Sequence, residues 1–438
     1  MYSIDGWIAA AGIVFQWQNM ALIVGISLLG LTIGFLPGIG PLTALPLSLP
    51  ITFGMQPGPA LILLAVLYMS VTYGGSLSAI LLNTPGTAAS AATCLDGYPM
   101  AKQGKGGVAI GISMMSSFVG GFIGLAGLIF LSPVIADFAL KFQPAEYFML
   151  AVIGLVLIAA SSRGSVLKSF IAGGFGFIVS SIGMDLMTGH ARFSFGSTYL
   201  KGGIPLVPLI IGLFAFSEVF ALIEGGDKTI SEKGELSGRI VDGLKLPFRH
   251  LKTLIRSSFI GLGIGVIPGE GSAVANFTAY LTEARISKRG KEFGSGIPEG
   301  VIAPEASNNA CVAGALVPTL TLGIPGGGVA AVFMGGVMLH GLNPGFELFT
   351  RHLDILTTLY FGLIVANFLL LIGGTILSRY AARVTIIPIS ILAPSIVALG
   401  VISTYATRSQ GLDVVATICA GIMGYFMKKF GYSTIPFL

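Results

Sequence analysis

Residues 261–271 read GLGIGVIPGEG, and residues 30–40 read GLTIGFLPGIG. Seven of these eleven positions are identical at an offset of 231 residues. A second pair of motifs keeps the same order, because NTPG at 83–86 corresponds to GIPG at 323–326 at an offset of 240. Similarity that recurs in order along a chain predicts a duplicated architecture, in which each half is one structural unit.

The composition indicates a membrane protein. Of the 438 residues, 54% are hydrophobic and only 10% are charged, against roughly 25% charged in an ordinary soluble domain. This excludes a soluble enzyme, a nucleic-acid-binding protein and a disordered scaffold, because such chains need more charge or fewer apolar residues. The 63 glycines predict close helix packing and interrupted helices within a bilayer.

The chain shows no pattern typical of an enzyme or of a metal site. Its three cysteines are far apart and its four histidines lack ligand spacing, which argues against a disulfide framework and a zinc site. Neither a nucleophile motif nor a phosphate-binding loop occurs in the sequence. We therefore predict no enzymatic activity and no cofactor.

Several apolar segments are long enough to cross a membrane: 108–131, 145–160, 166–183, 203–223, 356–378, 388–405 and 411–427. The segment around Glu270 differs, since basic clusters precede it at 249–256 and follow it at 285–291. Basic residues favour the cytoplasm, so both ends of this segment lie on one side. We predict a re-entrant hairpin over 257–284 with Glu270 at its tip, and by repeat symmetry a second hairpin over 20–53.

An odd number of crossings in the first half predicts an inverted second half, as in many secondary transporters. The predicted repeats are 1–223 and 257–438, joined by a cytoplasmic linker at 224–256. Each repeat holds a hairpin, a helix broken by Pro and Gly, and scaffold spans. In that order, these elements are predicted at 20–53, 57–95 and 108–223 in the first repeat. In the second repeat they are predicted at 257–284, 296–340 and 356–427. The second half has no counterpart of 203–223, so we expect a final span to be missing from this chain.

The basic residues support this topology. With the linker in the cytoplasm, 19 Lys and Arg residues fall on the cytoplasmic side and five on the other. Cytoplasmic loops of membrane proteins carry such an excess. No Lys or Arg precedes Lys102, and we expect the N-terminus in the periplasm.

The four interruptions are the predicted transport site. A helix broken within a membrane is costly unless the freed backbone groups line a cavity. Half-helix N-termini attract carboxylates, and unwound backbone carbonyls can coordinate Na⁺. The predicted substrate- and ion-binding residues are Gly38, Gly40, Thr43, Asn83, Thr84, Pro85, Gly86, Thr87, Gly269, Glu270, Gly271, Ser272, Asn276, Ser307, Asn308, Asn309, Pro325, Gly326 and Gly327.

Each group has a structural alternative that the sequence leaves open. The glycines of the first hairpin can serve a packing kink, and residues 83–87 can form a simple loop. Glu270 either acts as an intramembrane carboxylate that binds a cation or a proton, or is exposed near the membrane surface. The stretch EGVIAPEASNNA at 299–310 is either a capped helix entrance or a part of the binding site.

The chain contains five distinctive motifs. They are PGIGPLTALPL, YGGSLSAILLNTPG, DGYPMAKQGKGG, PGEGSAVANFTAY and APEASNNACVAGALVPTLTLGIPGGG, which begin at residues 37, 73, 96, 268 and 303. Together they resemble the large membrane subunit of the tripartite tricarboxylate transporters, the TctA type. The resemblance extends from about residue 20 to residue 438.

The resemblance implies an all-α permease of the bacterial inner membrane that imports citrate, other tricarboxylates or related carboxylates with Na⁺ or H⁺. It implies a small four-span membrane subunit and a periplasmic solute-binding protein as partners. It also implies an elevator-like fold, in which a hairpin-bearing domain moves past a scaffold. No nucleic-acid partner is expected, and a homo-oligomer is left open. The alternative function is an organic-anion channel without ion coupling.

Overall fold

The computed structural model describes residues 2–36, 39–143, 145–146, 148–149, 152–154, 156, 165–185, 188–225, 238–269, 271–384 and 389–438. In the first half the helices are α1 Ile4–Val14, α2 Trp17–Phe35, α3 Pro41–Ser48, α4 Pro57–Leu82, α5 Ala91–Met100, α6 Gly106–Ala139, α7 Val166–Ser180, α8 Thr198–Lys201, α9 Leu206–Ile210 and α10 Ser217–Gly225. In the second half they are α11 Ile240–Lys245, α12 Leu251–Val266, α13 Gly271–Ile286, α14 Pro298–Leu322, α15 Gly328–Leu339, α16 Phe346–Arg351, α17 Leu353–Val384, α18 Ile389–Arg408 and α19 Gly411–Lys429.

Short elements complete the described fold. Turns of 3₁₀ helix cover Leu49–Thr52, Pro247–His250 and Gly290–Glu292, and π-helical turns cover Ala101–Lys105 and Ile211–Phe216. A two-stranded antiparallel ribbon, β1 Gly183–Met184 and β2 Ala191–Arg192, pairs Gly183 with Arg192. The positive φ of Gly104, 76°, bends the chain between α5 and α6, and glycine adopts this conformation without steric cost.

Among the described residues, seven helical stretches are long and apolar enough to cross a membrane. They are Trp17–Phe35, Pro57–Leu82, Ala91–Ala139, Leu206–Glu224, Leu353–Ser378, Ser390–Arg408 and Gly411–Lys429. About 20 apolar helical residues match the hydrocarbon thickness of a bilayer. The prediction of an all-α polytopic membrane protein is therefore confirmed. Half of the residues of the predicted span 145–160 lie outside the described residues.

The chain forms two compact units. Unit 1 consists of residues 1–44, 54–143 and 229–387. Unit 2 consists of residues 45–53, 144–228 and 388–438. The segment 108–223, predicted as scaffold spans, is divided between them, because α6 belongs to unit 1 together with the interrupted helices.

Helices α4 and α14 form the core of unit 1. Nearly every residue is buried, over 60–81 in α4 and over 299–321 in α14. A helix buried on all sides needs no amphipathic pattern, which explains why neither helix shows one in the sequence. Both helices begin with a proline, Pro57 and Pro298, at the position where the missing N–H would have had no intrahelical partner.

The two halves pack their helices through equivalent glycines. A Cβ added at Gly34 of α2 would lie 2.1 Å from the carbonyl oxygen of Val71 in α4. At Gly265 of α12 it would lie 2.6 Å from the carbonyl oxygen of Cys311 in α14. These pairs are related by the same offsets, 231 and 240, as the sequence motifs. The duplication therefore extends from the sequence to the packing of the backbone.

The interrupted helices present glycines of their own to this contact. A Cβ at Gly74 of α4 would lie 2.4 Å from the carbonyl oxygen of Leu31, and one at Gly314 of α14 would lie 2.7 Å from that of Leu262. Real side chains never approach a backbone oxygen so closely. Each helix pair is therefore held at a separation that only glycine on both sides allows.

The paired helices also end alike. The residues that directly follow α4 and α14 are Asn83 and Gly323, and both adopt the left-handed conformation, with φ of 52° and 68°. Helices α2 and α12 end at the extended residues Leu36 and Ile267. The interruptions thus fall at corresponding positions in the two halves, while the inversion of one repeat relative to the other stays a prediction.

Unit 2 uses similar contacts and a buried ion pair. A Cβ at Gly212 would lie 2.4 Å from the carbonyl oxygen of Thr417 in α19. Asp413, at the start of α19, is fully buried. Its carboxylate accepts hydrogen bonds from Arg408 and from the hydroxyl of Tyr199, both at 2.7 Å. This network fixes the start of α19 within unit 2.

We expect Gly34→Ala and Gly265→Ala to destabilise the protein by about 1–3 kcal/mol each, because the added methyl group must separate two packed helices. Matched controls are Gly25→Ala and Gly263→Ala in the same two helices, where no atom lies within 4 Å of the added Cβ. The controls should be neutral or stabilising, since Ala favours a helix over Gly by about 1 kcal/mol. Thermal unfolding in detergent measures the difference, and four equal melting temperatures would contradict this packing.

Candidate substrate and ion site

Residues 83–87 connect α4 to the turn before α5. Asn83 is exposed, and the last two residues of the segment, Gly86 and Thr87, are buried. The hydroxyl of Thr84 donates to the carbonyl of Leu82 at 3.1 Å. Thr84 therefore serves the local turn, and Asn83 presents the exposed polar side chain of this first interruption.

The first hairpin contacts the first interruption. A Cβ added at Gly86 would lie 2.2 Å from the carbonyl oxygen of Gly34, near the end of α2. One added at Gly40, just before α3, would lie 3.9 Å from the carbonyl oxygen of Gly86. Thr43 is buried in the first turn of α3. The structure thus brings these predicted residues together, while Gly38 lies outside the described residues.

The second hairpin contacts the second interruption. A Cβ added at Gly327 would lie 3.3 Å from the Cα of Gly271, the first residue of α13. Gly326 packs against α14, where its Cβ would lie 2.6 Å from the Cα of Ala315. Glu270 lies outside the described residues. Three other predicted residues of the second half are half-buried: Gly269, Ser272 and Pro325. In the first half, the predicted residue Pro85 is exposed.

Asn276 joins the two halves at this place. Its Nδ2 donates to the carbonyl of Ala89 at 3.0 Å, which connects α13 to the segment between the first interruption and α5. Asn276 is fully buried, and its Oδ1 has no hydrogen-bond partner in the part of the chain that the structure describes. Both hairpins and both interruptions therefore form one continuous set of contacts within unit 1.

Four helices begin within this set of contacts. They are α3, α5, α13 and α15, which start at Pro41, Ala91, Gly271 and Gly328. Neither Ser90 before α5 nor Gly327 before α15 supplies a side-chain cap to its helix. The first N–H groups of a helix lack intrahelical partners and carry partial positive charge. This arrangement suits an anion, and a carboxylate in particular.

Helix α14 buries polar side chains that have no protein partner. The Ser307 hydroxyl and the amides of Asn308 and Asn309 make no hydrogen bond to any described residue, although all three are at most 1% exposed. Leaving such a group unpaired costs roughly 1–3 kcal/mol. Polar groups retained at that cost mark a place where a ligand, an ion or water completes the hydrogen bonds.

The sequence left two interpretations of the stretch 299–310 open, a helix entrance and a part of the binding site. The structure gives the beginning of the stretch and its later residues different surroundings. Glu299, in the first turn of α14, lies 3.4 Å from His250 and 3.4 Å from Arg289, and forms the helix entrance. Arg289 also pairs with Glu292 at 2.7 Å and holds the pKa of that carboxyl below its ordinary value. The polar residues from Glu305 onward lie further along the helix and face other partners.

Glu305 is a buried group that the predicted set of binding residues lacks. Its Oε1 accepts a hydrogen bond from Thr93 of α5 at 2.5 Å, and its Oε2 accepts from Ser113 and Ser117 of α6 at 2.9 Å each. These partners lie about two hundred residues away in the sequence. A signal did exist locally, because Glu305 precedes the two asparagines by one helical turn.

Asp96 is a second buried carboxylate without a predicted role. It accepts backbone N–H bonds from Gly294, Gly296 and Ile297 at 2.8–3.0 Å. The hydroxyl of Tyr280 donates to it at 2.8 Å. The carboxylate thereby fixes α5 of the first half to the loop that precedes α14.

We expect Asp96→Asn to lower the free energy of unfolding by about 3 kcal/mol, because an amide NH₂ would face N–H donors that now bond a carboxylate. Asn308→Leu should be neutral or stabilising, since it removes a buried amide without a partner. Asp242→Asn, at an exposed position of α11, is the control for the Asp→Asn change. Thermal unfolding checks the expected order of stability of the three variants. An unfolding temperature for Asp96→Asn equal to that of the control would refute the prediction.

The chain is similar to proteins of a known family. Residues 20–438 match the model of the tripartite tricarboxylate transporter TctA family. A protein of Agrobacterium vitis, described as an uncharacterized 52.8 kDa protein in the TAR-I ttuC' 3' region, is 37% identical over 413 residues, which are 94% of this chain and 82% of that protein. Another from the same organism, in the TAR-II ttuC' 3' region, is 35% identical over 175 residues, 40% of this chain and 72% of that protein. No solved structure matches the chain.

Proposed function

Because the chain belongs to the tripartite tricarboxylate transporter TctA family, we propose that it is the permease subunit of a binding-protein-dependent secondary transporter. It imports tricarboxylates such as citrate, or related carboxylates, by symport with Na⁺ or H⁺. Its partners are a small four-span membrane subunit and a periplasmic solute-binding protein. It lies in the bacterial inner membrane with its N-terminus in the periplasm.

The observation that carries this proposal is that helix N-termini meet at interruptions that pack against α14, the helix with the unpaired amides. Helices α13 and α15 begin side by side, since Gly271 and Gly327 are in contact. Asn308 and Asn309 supply N–H donors without described protein partners. Oriented backbone dipoles and neutral amides bind a carboxylate without any Lys or Arg. A neutral site of this kind releases a multiply charged anion more readily than a cluster of cations would.

The same region supports binding of a cation. Helices α2, α4, α12 and α14 end at the interruptions, and the last carbonyls of a helix lack intrahelical partners and carry partial negative charge. Such carbonyls coordinate Na⁺ in other secondary transporters. Adjacent sites of opposite polarity allow a cation and an anion to be bound together, which is the requirement for symport.

All described residues of the site belong to unit 1. We therefore assign unit 1 as the transport domain and unit 2 as the scaffold of an elevator-type mechanism. In such a mechanism the substrate stays bound to one rigid body while that body changes its exposure. The close glycine contacts of α2 with α4 and of α12 with α14 suit a body that moves without internal rearrangement.

Uptake into proteoliposomes tests the proposal. The vesicles contain this chain, its small membrane subunit and its binding protein, and they receive labelled citrate under an imposed Na⁺ gradient or an imposed pH gradient. Accumulation driven by one gradient is expected and identifies the ion. Downhill flux that neither gradient drives would support the channel instead. Failure with citrate and with a panel of other carboxylates would refute a carboxylate permease.

We expect Asn83→Ala and Asn309→Ala each to reduce uptake by about tenfold, because each removes a hydrogen bond to a charged substrate. Asn343→Ala is the matched control, since Asn343 is exposed and bonds only to Glu347 among the described residues. Equal amounts of folded protein, verified by gel filtration, make the rates comparable. Uptake at the control rate by both site variants would show that these asparagines do not bind the substrate.

A further inference from the structure

The carboxyl group of Glu305 lies in a cage of hydroxyl groups inside unit 1. Thr93 donates to Oε1 at 2.5 Å, and Ser113 and Ser117 donate to Oε2 at 2.9 Å. Ser76 of α4 lies beside the same carboxyl group. Glu305 is fully buried, so three neighbouring helices enclose an acidic group that the proposed substrate site does not require.

Glu305 differs from Glu283 and Asp413 in having no cation beside it, and from Asp96 in having hydroxyl groups rather than backbone N–H groups as its described donors. Glu283 pairs with Arg256, and Asp413 pairs with Arg408. No Lys, Arg or His pairs with Glu305 within the described ranges. An isolated buried charge is costly, and a buried carboxyl group reduces this cost by taking up a proton. The surroundings of Glu305 therefore allow a change of its charge.

Hydroxyl groups suit both protonation states of a carboxyl group. Each hydroxyl donates one hydrogen bond and accepts up to two, so the cage donates to the carboxylate and accepts from the carboxylic acid without moving. A bound cation would separate its oxygen ligands, whereas these oxygens contact the carboxylate directly. The cage is therefore suited to a proton.

The other titratable groups that face Glu305 do not compete with it for a proton. They are Tyr73 of α4 and Cys94 of α5, which are neutral acids under ordinary conditions. Helix α6 faces it with serines, and on α12 and α13 the charges of Arg256 and Glu283 pair with each other. Glu305 is the carboxyl group of this set without a charged partner among the described residues.

Polar residues lie between Glu305 and the first interruption. Asn308 and Asn309 follow Glu305 by one turn of α14, and their amides have no hydrogen-bond partner among the described residues. On the other side, Thr87 and Ser90 hydrogen-bond through their hydroxyls at 3.3 Å, and Thr93 follows Ser90 by three residues and reaches Glu305. The protonation state of Glu305 is therefore placed to influence, and to respond to, an anion at the interruptions.

We propose that Glu305 is the proton-binding group that couples carboxylate transport to the pH gradient. This inference rests on the proposed cation-coupled transport. The carboxylate takes up one proton when the substrate binds from the periplasm, which removes a negative charge close to the incoming anion. The carboxylic acid releases that proton on the cytoplasmic side after the substrate has left, and the carboxylate is restored.

Glu305→Gln keeps the shape and hydrogen bonding of the side chain but cannot titrate. In the proteoliposomes, we expect it to lower accumulation driven by the pH gradient by about tenfold or more. It should retain exchange of labelled for unlabelled substrate at equal pH on both sides, since exchange needs no net proton movement. Glu292→Gln is the matched control, because Glu292 is exposed on the loop before α14, and it should accumulate substrate like the unmodified protein.

The outcomes separate this inference from the proposed function. Absence of carboxylate transport by the unmodified protein would overturn the proposed function itself. Accumulation by Glu305→Gln at the unmodified rate, or accumulation by the unmodified protein under a Na⁺ gradient alone, would overturn the role of Glu305. If Glu305→Gln loses exchange as well, the double variant Ser113→Ala and Ser117→Ala decides. Losing two donors to the ionised form should move the pH of half-maximal exchange upward by about one unit, and an unchanged midpoint would overturn the inference.

Discussion

The structure of unit 1 depends on direct backbone contact between α2 and α4 and between α12 and α14. Glycines on both sides of each contact bring the main chains closer than any side chain allows. The consequence is that α4 and α14 are enclosed along nearly their whole length. Water has no access to a helix packed in this way, so every polar atom on it must find a partner in the protein or in a ligand.

That requirement separates the polar residues of α14 into two kinds. Glu305 receives hydroxyl donors from two other helices, and its burial is compensated within the protein. Asn308 and Asn309 have equivalent burial and no partner among the described residues. Within one helical turn the fold thus satisfies an acid and leaves two amides unsatisfied. Amides kept at such a cost in a buried core support the proposal that a molecule binds them, since apolar residues would serve a purely structural helix better.

The sequence was sufficient for those features that recur at a fixed offset or in a local pattern. The interruptions at Asn83 and Gly323 and the hairpin partners Gly34 and Gly265 could be found because the duplication repeats them. The partners of Glu305 and of Asp96 could not, since Thr93, Ser113 and the loop at 294–297 are distant in sequence and belong to ordinary small or polar residue types. Contacts across such distances follow from tertiary packing, and a single sequence carries no local record of them.

The two halves share their packing residues but not their chemistry. At the offset of 240 residues, Glu305 corresponds to Ala65, and Asn308 and Asn309 correspond to Tyr68 and Met69. The glycines that hold the helix pairs together are retained at equivalent positions, because any larger residue would separate the backbones. No such constraint acts on positions that face the site, where a single ligand needs only one set of donors. The second half therefore supplies the acid and the amides, and the first half supplies the hydroxyl groups of Thr93, Ser113 and Ser117 that bond the acid.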